Sequence, residues 1–227
     1  MVNYSKFGAS DWDQDLGGKA KSAGKKDVYM RLQPGSNPVR VLTPPFQYLA
    51  HKYKTDEKDV MGDKVMCSYP LHKACPLCDL KDRAKPRWFV MVIDRKTNES
   101  KLLDIGAGIY GKIKQLNDSE KWGNPLHYDL DITVNKNAPP ANYHGVVPDP
   151  KTPLSESDLK MKNEVDMEHI ASKCTPPTPE WVKTRVNAIR TKKGLSPLDF
   201  SSVTPVSTPS VDMSEDEEDL TFPAVTE

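Results

Sequence analysis

The sequence is short of several things, and each shortage excludes a class of function. No apolar run approaches the roughly 20 residues that cross a bilayer, and the opening MVNYSKFGASDWDQD carries no apolar segment of the secretory kind. The expectation is a soluble, cytoplasmic protein with no membrane partner. There is no His-Glu-x-x-His, no phosphate-cradling glycine loop with its lysine, and no pair of carboxylates at a meaningful spacing, so no enzyme is expected. Apolar residues are only 37% and mean hydropathy is -0.64, against 20 prolines, so part of the chain is not expected to enter a packed core. Lysine and arginine are missing altogether from residues 201–227, which hold seven acids (Asp212, Glu215, Asp216, Glu217, Glu218, Asp219 and Glu227). The formal net charge of zero thus hides a body of residues 1–200 with 32 bases against 25 acids, followed by an acidic tail.

Cysteine is also scarce, with four in 227 residues, but three of them fall close together in HKYKTDEKDVMGDKVMCSYPLHKACPLCDLKDRAKPRW, residues 51–88. That crowding suits a reducing compartment and a metal rather than a disulfide framework. Cys75 and Cys78 form a Cys-x2-Cys pair, which spans two corners of a tetrahedral site, and Cys67 supplies a third thiolate. A redox pair would need a βαβ context, which does not flank CPLC. Two histidines compete for the fourth position of one structural Zn2+. His72 lies three residues before Cys75; His51, the favoured candidate, would tie the start of the segment to its end. Cys174 stands far away on an apolar helix face and is expected to pack in a core.

The chain order suggests a mainly β protein. Residues 1–27 read as a flexible polar arm. DVYMRLQ, a PGSN turn and PVRVLT read as a first hairpin, and FQYLAHKYK as a strand delivering His51. PRWFVMVID and KLLDI make a second hairpin. Ile109, Ile113 and Leu116 mark one face of a glycine-weakened helix, and LHYDLDITVN is the last clear strand. Five or six short strands with a helix between the later ones suit a small closed barrel of the oligonucleotide-binding (OB) kind over residues 28–150, with a zinc subdomain at about 51–86. Over 151–194 the pattern is helical. Ser155 and Asp158 form a capping box ahead of a stripe of Met167, Ile170, Ala171 and Cys174; Thr178 and Pro179 start a second helix that buries Val182, Val186 and Ile189. Residues 195–227 are expected to be disordered.

Around the cysteines lie cations and rings: Lys52, Tyr53, Lys54, Tyr69, Lys73, Lys81, Arg83, Lys85, Arg87 and Trp88. Proteins that hold unpaired bases without sequence preference combine a positive groove with aromatic stacking faces. Tyr53 and Tyr69, flanked by charge, are expected to be exposed, whereas Trp88 alternates with Val90 and Val92 and could equally be core. Sequence-independent binding of single-stranded DNA is the expected function. A zinc-stabilised adaptor that binds protein and no nucleic acid is the alternative.

The succession VRVLTPP, LAHKY, a cysteine, CPLC, RWFVMVID, KLLDI and IYGKIKQL resembles the helix-destabilising single-stranded DNA-binding proteins of T-even bacteriophages, over about residues 28–147. The resemblance implies an OB-fold with a zinc subdomain, with the ligand series mapping onto His51, Cys67, Cys75 and Cys78. It implies a DNA cleft with Trp88 as a groove tryptophan and Tyr143 as a later groove aromatic; Arg87 stands where that family has a tyrosine. It further implies that the acidic tail contacts replication, recombination or repair proteins, in the cytoplasm of an infected host if the chain is phage-encoded. The family's basic N-terminal motif has no clear match in MVNYSKFGASDW.

Overall fold

The computed structural model describes residues 29–201 except 57, 58, 60, 61, 140 and 141. The expected flexible arm, and the acidic residues Asp212 to Asp219, lie outside the described residues. Eight strands are described: β1 (Tyr29–Met30), β2 (Pro38–Val41), β3 (Phe46–Tyr53), β4 (Asp63–Met66), β5 (Lys85–Asp94), β6 (Glu99–Ile105), β7 (Asp129–Val134) and β8 (His144–Pro148). With them go helices α1 (Tyr69–His72), α2 (Pro76–Asp79), α3 (Ala107–Asn117), α4 (Glu156–Asn163), α5 (Met167–Lys173) and α6 (Pro179–Lys192). No helix among the described residues is long and apolar enough to cross a membrane. The described chain divides into two compact units, one of residues 29–47 and 88–174, the other of 48–87 and 175–201.

The first unit is built on a sheet in the order β1-β6-β5-β2-β7-β8. Only the β1–β6 pair is parallel; the others along this path are antiparallel. The strict alternation of β7 turns Leu130, Ile132 and Val134 inward. They join Val39, Val41, Val90, Val92, Leu103 and Ile105 in a core that Ile109 and Ile113 of α3 complete. A mainly β sheet with helices is therefore what forms. Among the described residues β1 and β8 are the end strands of this six-strand path.

Two local expectations are overturned. The first hairpin does not form: β1 pairs with β6, and β2 with β5 and β7. The cause is Asn37, whose buried side chain donates to the carbonyls of Gln33, Gly35 and Ile132 and accepts from the Gln33 amide. Gly35, at φ +88°, then exchanges both backbone hydrogen bonds with Val134. The turn is thus spent on β7 and cannot fold DVYMRLQ back on PVRVLT. Second, the single helix expected from Ser155 to Cys174 is two. The Ser155–Asp158 capping box starts α4, but Asp166 caps a new start by accepting from the His169 amide, leaving Ile170 and Cys174 buried at α5. Burial pushes the Cys174 thiol up to about 12, and it points at the Phe46 carbonyl. Cys174 is a packing residue.

The second unit has a core of its own. Tyr53, Val65, Cys67, Cys75, Leu77, Cys78 and Ala84 pack with Val182, Val186 and Ile189 of α6. Thr178 caps α6 by accepting from the Trp181 amide, and Pro179 sits at its first turn where no amide is missed. At its far end Lys193 pairs with Asp59 at 2.6 Å and Asp63 at 3.0 Å, tying α6 to the start of β4. Of residues 195–201, expected to belong to a disordered tail, Leu195, Leu198 and Phe200 are half-buried and Ser196, Pro197, Asp199 and Ser201 are exposed. Leu198 and Phe200 lie against this core, and Asn187 accepts from the Leu198 amide. Because α6 supplies three of the buried side chains around the cysteines, Val186→Ala should lower the stability of this unit by roughly 1–3 kcal/mol. A denaturant melt that also follows bound metal should show both transitions moving together.

Candidate metal centre and its basic surround

His51 reaches the centre through strand alternation. Leu49, His51 and Tyr53 share one face of β3, with His51 opposite Val65 of β4. The Cys67 amide extends the ladder to the Leu49 carbonyl at 2.9 Å, so Cys67 falls on the same face as Val65. Cys75 and Cys78 come from the other side. Cys75 precedes the one-turn helix α2, Pro76 sits where its missing amide costs nothing, and the turn carries Cys78 back beside Cys75. Lys81, at φ +63°, then reverses the chain and brings Asp82 under His51.

The ligand atoms of His51, Cys67, Cys75 and Cys78 all lie within 4.8 Å of one another, and all four residues are buried. No disulfide forms among them. The Sγ atoms of Cys67 and Cys78 are 3.7 Å apart, and His51 Nε2 is 3.4 Å from Cys75 Sγ and 3.7 Å from Cys78 Sγ. A tetrahedral ion with metal–sulfur bonds of about 2.3 Å and a metal–nitrogen bond of about 2.0 Å would require edges of about 3.8 Å between sulfurs and about 3.5 Å between sulfur and nitrogen. The three separations just given lie within about 0.2 Å of those edges. The four residues therefore fit a bound metal ion, which also explains why three buried thiols crowd one imidazole.

The electrostatics ask for a cation at the same place. Burial works against a charged His51 ring, yet Asp82, Cys67 and Cys75 outweigh it and raise its pKa to about 11. Cys75 is pushed far below the usual thiol value, first by hydrogen bonds from Cys67 and Cys78 and then by His51. Cys78 is pushed up by Cys67 and Cys75, since three crowded thiols cannot all ionise without a cation. Asp82 Oδ1 lies 3.6 Å from His51 Nδ1, the nitrogen turned away from the sulfurs. A carboxylate on that side selects the tautomer that leaves Nε2 free for metal. Asp82 was not legible as a partner in the sequence, because the reversal at Lys81 that delivers it carries no glycine or asparagine signal.

Of the two candidate histidines, His51 belongs to the cluster, while His72 is exposed at the end of α1. Among the cations of the same unit, Lys54, Lys73 and Arg83 are exposed, and Lys52 and Lys85 are half-buried. Tyr69 is half-buried, with the Lys73 ammonium 5.8 Å from its ring centroid. Tyr53 is buried, against expectation, because it lies on the His51 face of β3; its hydroxyl is 3.4 Å from an Arg190 nitrogen. Arg87 is also buried. In the sheet unit, Trp88 is 2% exposed and stacked on Tyr110 at 3.9 Å and 4° between planes. Its face is taken by a neighbour, so it offers nothing to a base as it stands. Tyr143 is half-buried and tilted against His144, just before β8.

Comparison of the chain with family models, with curated proteins and with solved structures gives no match in any of the three.

Proposed function

We propose that the chain binds single-stranded DNA without sequence preference, through a basic segment ordered by one structural Zn2+. The observation that carries the reading is the fit of His51, Cys67, Cys75 and Cys78 to a tetrahedral ion, in a segment whose intervening residues present Lys54, Lys73 and Arg83 to solvent. Three thiolates and an imidazole are the donors that suit zinc, and four protein ligands leave no position for a reactive water, so the role of the ion is structural. The protein is then a binding protein and not an enzyme. In this reading the sheet is a variant of the OB architecture, as the resemblance to T-even phage helix-destabilising proteins implies, and the acidic tail is the contact for replication or recombination partners.

What the ion supplies is cohesion of the segment; the chain's own residues do the binding. Lys52, Lys54, Lys73, Arg83 and Lys85 neutralise phosphates, and the half-buried Tyr69 is the ring between the cysteines that is available for stacking. The adaptor reading keeps the metal and gives the same surface to a protein. A labelled oligo-dT and its duplex separate the two in an anisotropy titration. The proposal expects saturable binding of the single strand that weakens steeply with salt and exceeds duplex binding; no response to either leaves the adaptor.

A further inference from the structure

An open cleft of about 600 Å³ lies in the sheet unit, at the Asp129 end of β7. Arg40, His127, Lys151 and Lys162 line it with Leu126 and Leu159, and none of its lining residues is a carboxylate. Tyr143 is at the opposite end of β7, where its carbonyl accepts from Asn135. Six residues of strand, at about 3.3 Å each, separate the two ends by roughly 20 Å. The cleft thus lies away from Tyr143, and its lining includes none of the cations or rings that the single-strand reading uses.

Its walls are fixed before any ligand arrives. Asn124 accepts from the Leu126 amide, and the Thr152 amide donates to the His127 carbonyl at 3.1 Å, clamping the two lining loops together. Arg40, 1% exposed, donates to Asp129 at 2.9 Å and to the Thr152 carbonyl at 2.6 Å. Asp129 also receives Arg95, which in turn holds Asp158. Two guanidiniums and two carboxylates balance there. Lys151 and Lys162 have no such counterpart, because neither has an ion-pair partner among the described residues. Leu159, 45% exposed, stands one helical turn before Lys162 on α4 and presents an apolar face beside that charge.

We propose that this cleft binds an organic phosphate the size of a mononucleotide, its phosphate held by Lys151, Lys162 and His127 and its flat apolar part laid against Leu126 and Leu159. Two lysines and an imidazole in the lining suit a dianion, and the leucines suit a ring. The volume falls in the range of ordinary small-ligand sites, with room for one nucleotide. The inference depends on neither the metal nor the single-strand reading.

The test is a titration of the full chain with dTMP, thymidine and inorganic phosphate, followed by backbone amide NMR. The expected result is saturable dTMP binding with shifts confined to residues 124–127 and 151–162, weaker competition by inorganic phosphate, and no binding of thymidine. Lys151→Ala with Lys162→Ala should weaken dTMP by at least about tenfold, since charge-assisted contacts carry the phosphate. Neither lysine is buried, so the fold should survive, and Lys114→Ala, an exposed lysine of α3, should bind as the parent does. No saturation at millimolar dTMP, or equal binding by the double variant, overturns the proposal. Oligo-dT binding without dTMP binding removes this site and spares the single-strand reading; dTMP binding alone does the reverse.

Discussion

Cys75→Ser is expected to release the metal and to unfold the unit formed by residues 48–87 and 175–201. Cys75 is fully buried and its sulfur lies 3.4 Å from His51 Nε2, so a hydroxyl there gives up a strong ligand and leaves two thiols and an imidazole without their cation. In small domains a structural zinc of this donor type contributes roughly 10–16 kcal/mol of apparent folding free energy. Here α6 and the Tyr53, Val65 and Leu77 core carry part of the load, so the expected loss is several kcal/mol, or roughly 15 °C in the midpoint of this unit. His51→Ala should behave alike. His72→Ala should keep one metal per chain and the parent melting curve. Metal content by plasma mass spectrometry beside a circular dichroism melt reads both, and a fully folded, metal-free Cys75→Ser chain would contradict the expectation.

The second large effect is expected at Arg95. Its guanidinium donates Nε to Asp129 at 2.7 Å and a bidentate pair to Asp158 at 2.9 and 3.1 Å, holding the turn after β5 to β7 and to the head of α4. Arg95→Met leaves Asp129 with Arg40 as its one guanidinium and takes from Asp158 its bidentate partner. Breaking a buried pair from one side costs about 3–5 kcal/mol, and with Arg95 about one-fifth exposed the cost should be about 2–3 kcal/mol. A pH signature accompanies it. Burial raises the Asp158 pKa, but Arg95 and the Ser155 cap more than offset this and hold it below the usual carboxylate value. A depressed folded-state value means stability that is present above the unfolded value of about 3.9 and lost as pH falls below it. Acid melts of the parent should therefore steepen in that window, and those of Arg95→Met should be flatter there. An unchanged midpoint and an unchanged acid slope would refute this role for Arg95.

Much of the site could be read in the sequence because its signals are local. CPLC announces two ligands at fixed spacing, and FQYLAHKYK announces a strand whose alternation fixes where His51 points. The α6 boundaries were legible for the same reason, in Thr178, Pro179 and the Val182, Val186, Ile189 stripe. What could not be read depends on partners distant in sequence. Asn37 diverts the first turn to β7 through a bond to Ile132, 95 residues away, and nothing in PGSN announces it. HGVVP pairs with β7 as β8, beyond LHYDLDITVN, the last strand that is clear in the sequence; a proline at a strand end leaves the ladder intact. DKVM is too short to show alternation, yet its pairing with β3 places Cys67. Tyr53 looked exposed for its charged neighbours, but strand alternation sends Lys52 to the other face, and Lys54 stands exposed just past the strand.

The most direct test of the account is the salt dependence of oligo-dT affinity for the metal-loaded chain and for its Lys54→Glu, Lys73→Glu, Arg83→Glu variant. Each phosphate neutralised on a single strand contributes about 0.7 to the slope of log affinity against log salt, so the variant should lose affinity and about 2 from that slope while keeping its metal. A parent chain that ignores oligo-dT at low salt, or a variant with the parent's slope, would contradict the claim that the metal-ordered segment is where unpaired nucleic acid binds.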